Sequence, residues 1–264
     1  MKKTYLFPLV LIALLFTNCK KDDEGEKDEQ GSTEKKTVPV TVKNYDANGT
    51  LTSTDTYTYD GRLITKKTTV GTETTVFDYY YSDRTKGLLD SIVATKNAVF
   101  SGITKYDNSN DLIARIENYN ANRGLEMRQD FTHYTGNNPD QFRVLIRTAQ
   151  YGDINIIGTM SYASGNMTSM DLTGTISGIS FNQTTTATYD TNNIPFLNVT
   201  SLFEPRTYVN NILNMTTDMT SSMGNQHQVN TMVYTCNADN YPTRVDISED
   251  GQNQGYIEYT YEDK

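Results

Sequence analysis

The sequence predicts an all-β protein: an antiparallel up-and-down meander of long hairpins curled into a full or partial barrel, with one short helical insert near residues 200–213. Three observations carry that expectation. Tyrosine recurs at the end of stretches rich in Thr, Tyr, Val and Ile, and each stretch is followed by a polar turn and a new apolar start. The anchor tyrosines Tyr59, Tyr81, Tyr106, Tyr134, Tyr162, Tyr189, Tyr234 and Tyr261 are spaced 22, 25, 28, 28, 27, 45 and 27 residues apart. A unit of that size holds two strands and two turns more readily than a strand with a crossover helix. Finally, Gly, Asn and Asp cluster between the runs, as tight hairpins require.

In chain order, strands are expected at 38–44, 50–59, 62–70, 74–82, 88–96, 99–106, 112–120 and 126–135. They continue at 142–150, 153–163, 166–174, 177–189, 228–236, 243–249 and 255–262. An open sheet of about fifteen strands is unusual without curling, which is why closure is the expected outcome. The long interval between Tyr189 and Tyr234 holds the helix-like stretch, where Leu202, Phe203, Tyr208, Val209, Ile212 and Leu213 recur at near-helical spacing around Pro205. It is expected to cover an edge or plug an opening.

The first 36 residues read differently. Lys2 and Lys3 precede an apolar run from Leu6 to Phe16, then Thr17, Asn18 and Cys19, the pattern of a secretory signal. As a helix that run covers about 16 Å, half the hydrocarbon thickness of a bilayer. Cys19 resembles the lipidated cysteine of bacterial lipoproteins, which becomes the first mature residue and carries acyl chains. An ordinary signal peptide cleaved nearby is the plain alternative. Residues 20–36 carry seven acids, five lysines and no apolar side chain, the composition of a disordered tether. Within it, Lys21-Asp22-Asp23 resembles the surface-export signal of Bacteroidetes lipoproteins. Three parts are therefore expected: a signal peptide over 1–18, lipidated Cys19 with an acidic tether to residue 36, and one repetitive β domain over 37–264. The implied location is the outer membrane, facing the cell exterior, with the periplasmic face as the alternative.

The net charge of −9 belongs to the β domain itself, since the first 36 residues carry equal numbers of acids and bases. This excludes a basic nucleic-acid binder, and the bilayer is expected to be met through the N-terminal acyl chains only. With Cys19 lipidated, Cys236 has no partner for a disulfide.

The Tyr-Asp pairs at 59–60, 106–107 and 189–190, each before a turn and an apolar pair, resemble the YD repeats of large bacterial shell-forming proteins. The whole chain resembles a family of gut Bacteroidetes lipoproteins with a porin-like β fold and no assigned activity. The matching features are Cys19 with its acidic tether, the YD turns, Asn193-Ile194-Pro195-Phe196, and Asn240-Tyr241-Pro242-Thr243-Arg244-Val245. The resemblance implies a fold and an address, and no chemistry. A porin-like shape does not imply a membrane-spanning porin, because strands such as 62–70 and 142–150 carry cations between their apolar residues.

Candidate site residues were weighed against structural roles. The eight anchor tyrosines could stack on sugar faces, or simply pack across strands with their hydroxyls at the rim. Ser91, in Asp90-Ser91-Ile92, fits a short acceptor pattern for O-glycosylation in Bacteroidetes. Asp107 to Asp111 alternates oxygen ligands as calcium loops do, but lacks the following glycine and downstream glutamate, and reads as a hairpin turn. Met215, Met219, Met223 and His227 recur every fourth residue, a soft-metal face if helical, among poor helix formers. No metal or cofactor is predicted. His133 and His227 are the only imidazoles, no Gly-x-Ser-x-Gly elbow accompanies them, and phosphate-binding and zinc motifs are missing. The leading functional expectation is a non-enzymatic binding or structural module that meets glycans or an outer-membrane protein. The alternatives are a hydrolase with an acidic cleft on the concave face and a carrier of small apolar ligands inside the barrel.

Overall fold

The computed structural model describes residues 36–201 and 207–264. These form sixteen strands: β1 (Thr37–Tyr45), β2 (Leu51–Asp60), β3 (Leu63–Val70), β4 (Thr74–Asp83), β5 (Leu88–Lys96), β6 (Val99–Ser109), β7 (Leu112–Asn120) and β8 (Leu125–Thr135). The second half comprises β9 (Asn138–Thr148), β10 (Gly152–Ala163), β11 (Asn166–Ile176), β12 (Ile179–Asn193), β13 (Asn210–Ser221), β14 (Gly224–Cys236), β15 (Pro242–Glu249) and β16 (Gln252–Asp263). Each strand pairs antiparallel with its neighbour in sequence, and β16 pairs with β1, so the sheet is a closed barrel without free edges.

The helical insert expected near 200–213 is not formed. No described residue is helical; Asn210–Ser221 is β13, hydrogen-bonded to β12 and to β14, and residues 202–206 lie outside the described set. Of the described apolar residues in that stretch, Tyr208 and Val209 precede β13 and Ile212 and Leu213 stand at its start, so they share no helical face. The register with β12 slips at Leu213, so Ile212 and Met215 both face inward although three residues apart. Beyond the slip the strand is rich in β-branched threonine and alternates with period two. The long Tyr189–Tyr234 interval is thus one repeat unit with an extended connection, and the barrel has sixteen strands where fifteen were expected.

The alternation sorts residues between interior and outer wall. Along β10, Ile154, Ile156 and Met160 point inward and are buried, while Asn155, Thr159 and Ser161 face out. The outer wall carries charge at mid-strand. Arg115 on β7 bonds Asp130 on β8 at 2.6 Å, and Lys66 on β3 pairs with Asp78 on β4 at 3.5 Å. A membrane-spanning barrel needs the opposite polarity, because each Lys or Arg at mid-bilayer costs about 2–4 kcal/mol. Arg115 and Lys66 interrupt any such apolar band on this outer wall.

Inward side chains from β5 to β12 pack into one buried core that includes Leu89, Ile116, Phe142, Ile156, Leu172 and Phe181. Two glycines make room for its largest rings. Gly158 lies opposite Phe142 and Gly174 opposite Phe181, and a Cβ at either glycine would intrude on the facing ring.

The connection after β12 crosses one end of the barrel. Thr200 donates its N–H to the Arg62 carbonyl at 3.0 Å, and the Ser201 hydroxyl accepts the Ile64 N–H at 2.9 Å. Asn198 donates to the Thr37 carbonyl at 2.8 Å and to the Tyr241 hydroxyl at 2.7 Å. Val199 is buried with Val38 and Ile64. A segment leaving β12 therefore docks on β1 and β3, beyond the seam, and plugs that end. The first and last described residues sit there too: Lys36 and Lys264 exchange two backbone hydrogen bonds of 3.0 Å.

Gly158→Ala is expected to destabilise the barrel by about 1–3 kcal/mol through overpacking against Phe142. Adding Phe142→Leu should return part of that loss, measured as the midpoint of urea unfolding.

Candidate functional site

At the plugged end the barrel carries a repeated device. Each odd-numbered strand bulges near its start, at Val40, Thr65, Asp90, Ala114, Asp140, Thr168, Leu213 and Thr243. A bulge takes a backbone group out of the ladder, and a buried carbonyl left without a donor is costly. The donor comes from the even-numbered strands. Tyr59 donates to the Pro39 carbonyl at 2.6 Å, Tyr81 to Ile64 at 2.6 Å, and Tyr134 to Ile113 at 2.5 Å. Tyr162 donates to Pro139 at 2.7 Å, Tyr189 to Met167 at 2.6 Å, and Tyr261 to Pro242 at 2.6 Å. On β6 the same place is held by Asn108, whose amide donates to the Leu89 carbonyl at 2.7 Å. On β14 it is held by Cys236, which pairs with Pro242 as the other ring residues pair with the residue before the next bulge.

Six of the eight anchor tyrosines thus belong to one ring, with hydroxyls engaged by backbone. Tyr106 and Tyr234 stand two residues earlier on their strands; Tyr106 is buried in the core and Tyr234 is half-buried in the interior. The signal that separates them is distance to the turn. Tyr59, Asn108, Tyr134 and Tyr162 each lie two residues before the left-handed turn residues Gly61, Asn110, Gly136 and Ser164. Burial pushes the ring phenols up: Tyr81 to about 12, Tyr59, Tyr134 and Tyr261 further still.

Other candidates fall as follows. Cys19 lies outside the described residues. Ser91 is mid-strand in β5, 7% exposed, with its hydroxyl donating to Asp90 at 3.0 Å. Asn110 and Asp111, both at positive φ, form the two-residue turn between β6 and β7, and Lys86 holds the Asp111 carboxylate at 2.7 Å. Met215 and Met219 face inward, Met223 is an exposed turn residue, and His227 pairs with Asp218 on the outer wall at 2.7 Å, so no soft-metal face forms. Among the described residues no group of three or more His, Cys, Asp or Glu side chains could hold a metal.

The interior is not uniform. Sixteen strands enclose more space than side chains alone fill. From β5 to β12 the aliphatic core occupies it. From β13 round to β4 the inward residues are mostly half-buried and include Asn44, Ser53, Thr69, Asn230 and Tyr259. Asp55 on β2 and Lys67 on β3 also face this side, with Lys67 Nζ 3.9 Å from Asp55 Oδ2 and 4.4 Å from the centre of the Phe77 ring. Tyr57 and Tyr79 continue the aromatic lining toward the plug, where Tyr57 meets Phe196 edge-on at 5.3 Å. Sequence reasoning missed this site because Asp55 and Lys67 read as ordinary charges in two polar hairpin strands.

No family model matches the chain, and no curated protein matches it. Among solved structures it is similar to a porin-like protein from Bacteroides uniformis, with 13% identity and a TM-score of 0.51 over 85% of this chain and 96% of that one. It is also similar to a porin-like protein from Bacteroides vulgatus, with 11% identity and a TM-score of 0.37 over 85% and 99% of the two chains. The first likeness is one of fold.

Raised phenol values set the sign of an alkaline effect. A folded state that holds its tyrosine protons more tightly than the unfolded chain loses stability once pH rises above the unfolded value, about 10. The thermal midpoint should fall steadily above pH ~10, and phenolate absorbance at the ring tyrosines should appear together with loss of β circular dichroism. Phenolate appearing well before unfolding would contradict the ring geometry.

Proposed function

We propose that this chain is a lipid-anchored, non-enzymatic binding module of the outer membrane that faces the cell exterior and takes ligand into the polar half of its barrel. The observation that carries the reading is polarity: charge on the outer wall, and a half-buried polar and aromatic face inside. Cys19 supplies the anchor, since two or three acyl chains hold a protein durably where one does so marginally. The tether enters at Lys36, beside the plug, so the opposite end points away from the bilayer. This agrees with the resemblance to lipid-anchored proteins of gut Bacteroidetes.

The alternatives are less well supported. A carrier of apolar ligands needs aliphatic space, and the aliphatic half is occupied by its own side chains. Glycoside hydrolysis needs two carboxylates astride one bond, and the lumenal Asp55 is paired with a lysine.

Fractionation tests the anchoring. Cys19→Ser should move the chain from the membrane pellet to the soluble fraction. A Cys19→Ser chain that still requires detergent for extraction would mean that the barrel itself sits in the bilayer.

A further inference from the structure

We propose that Asp55, Lys67 and the surrounding rings form a subsite for a neutral, hydroxyl-rich ring, a saccharide unit, at mid-depth in the lumen. The inference rests on the reading of this lumen as a binding site and names its ligand class. The ion pair is a poor stabilising device: its side chains are 24% and 17% exposed and stand 3.9 Å apart, the loose limit of a salt bridge. A loose, part-exposed pair of this kind adds little to stability.

Each charge is positioned by a third group. The Thr69 hydroxyl donates to Asp55 Oδ1 at 2.6 Å, and the Phe77 ring sits under the Lys67 ammonium. Asp55 Oδ2 therefore keeps acceptor capacity, and Lys67 keeps donors, side by side on one inward face. Adjacent hydroxyls of a sugar ring offer the complement, since each both donates and accepts. The phenyl and phenol rings of Phe77, Tyr57 and Tyr79 supply the apolar surface that the C–H face of a sugar meets.

Other ligand classes fit less well. Asp55 repels a sulfate, phosphate or carboxylate that Lys67 would attract, and Lys67 repels a cation that Asp55 would attract. An alkyl chain laid over the pair would strip water from two charges without replacing their hydrogen bonds. The approach from the unplugged end is polar, through Asn44 and Ser53, which bond each other at 3.0 Å.

The test uses the full chain in mild detergent. With nineteen tyrosines and no tryptophan, it reports lumenal binding through tyrosine emission. The probes are maltohexaose, cellohexaose, mannohexaose and xylohexaose, against a heparin hexasaccharide and palmitate. At least one neutral oligosaccharide should bind, and Asp55→Asn and Lys67→Met should each weaken it by about tenfold or more, as loss of a hydrogen bond to a charged group predicts. Asp78→Asn on the outer wall should leave binding within about twofold, and the ligand-free thermal midpoints of all three variants should stay within about 3 °C of the parent. Unchanged binding in Asp55→Asn and Lys67→Met would overturn the subsite while sparing the binding module. Binding of only heparin hexasaccharide or palmitate would overturn the ligand class. Silence from every probe would count against the subsite and the module together.

Discussion

A carbonyl released from a β-ladder inside a barrel must find a donor, and in this protein the requirement is met the same way around one rim. Eight bulges near the starts of the odd strands give the sheet its extra local twist, and each frees a backbone oxygen. Six tyrosines and one asparagine reach back to the preceding odd strand to satisfy seven of them, and Cys236 holds the eighth place. The tyrosine repeat and the closure of the barrel are thus two views of one constraint. The ring also makes a platform on which the connection after β12 lies, with Ser201 meeting the Tyr81 hydroxyl at 2.6 Å.

From that rim the rest of the molecule follows. With one end closed by ring and plug, access to the interior is from the other end. The core between β5 and β12 supplies most of the buried apolar surface, while the arc from β13 to β4 packs a smaller cluster of Val38, Ile64 and Val199 at the plugged end. Lys36, where the first strand begins, lies at the plugged end beside Lys264. Here mid-strand charge lies on the outer wall and aliphatic side chains lie within.

Much of this was legible in the sequence. The tyrosine periodicity marked the even strands, and Gly, Asn and Asp marked the turns, because both follow from local backbone chemistry. The helix-like stretch 200–213 was expected to cover an edge or plug an opening; the residues that dock across the rim are instead the non-helical 194–201 that precede most of it. The helix expected near 200–213 is not formed because Asn210–Ser221 is taken into the ladder between β12 and β14, a long-range pairing that local apolar spacing does not encode. Tyr106 and Tyr234 share the repeat by residue type but not by position; Asn108 and Cys236, two residues on, hold the ring places. The Asp55–Lys67 site left no local mark at all. It arises from pairing between β2 and β3 and from which face of the barrel closes inward, and neither is written in the spacing of charges along one strand.

The most direct measurement is thiol accessibility in a Cys19→Ser, Cys236→Ser chain bearing either Lys67→Cys or Leu172→Cys, treated with a charged methanethiosulfonate. The two positions face the same interior from opposite halves. A lumen that is open on one side and packed on the other requires fast modification at 67 and protection at 172 until the chain unfolds. Protection at both would mean an interior filled all the way round, with no room for a ligand.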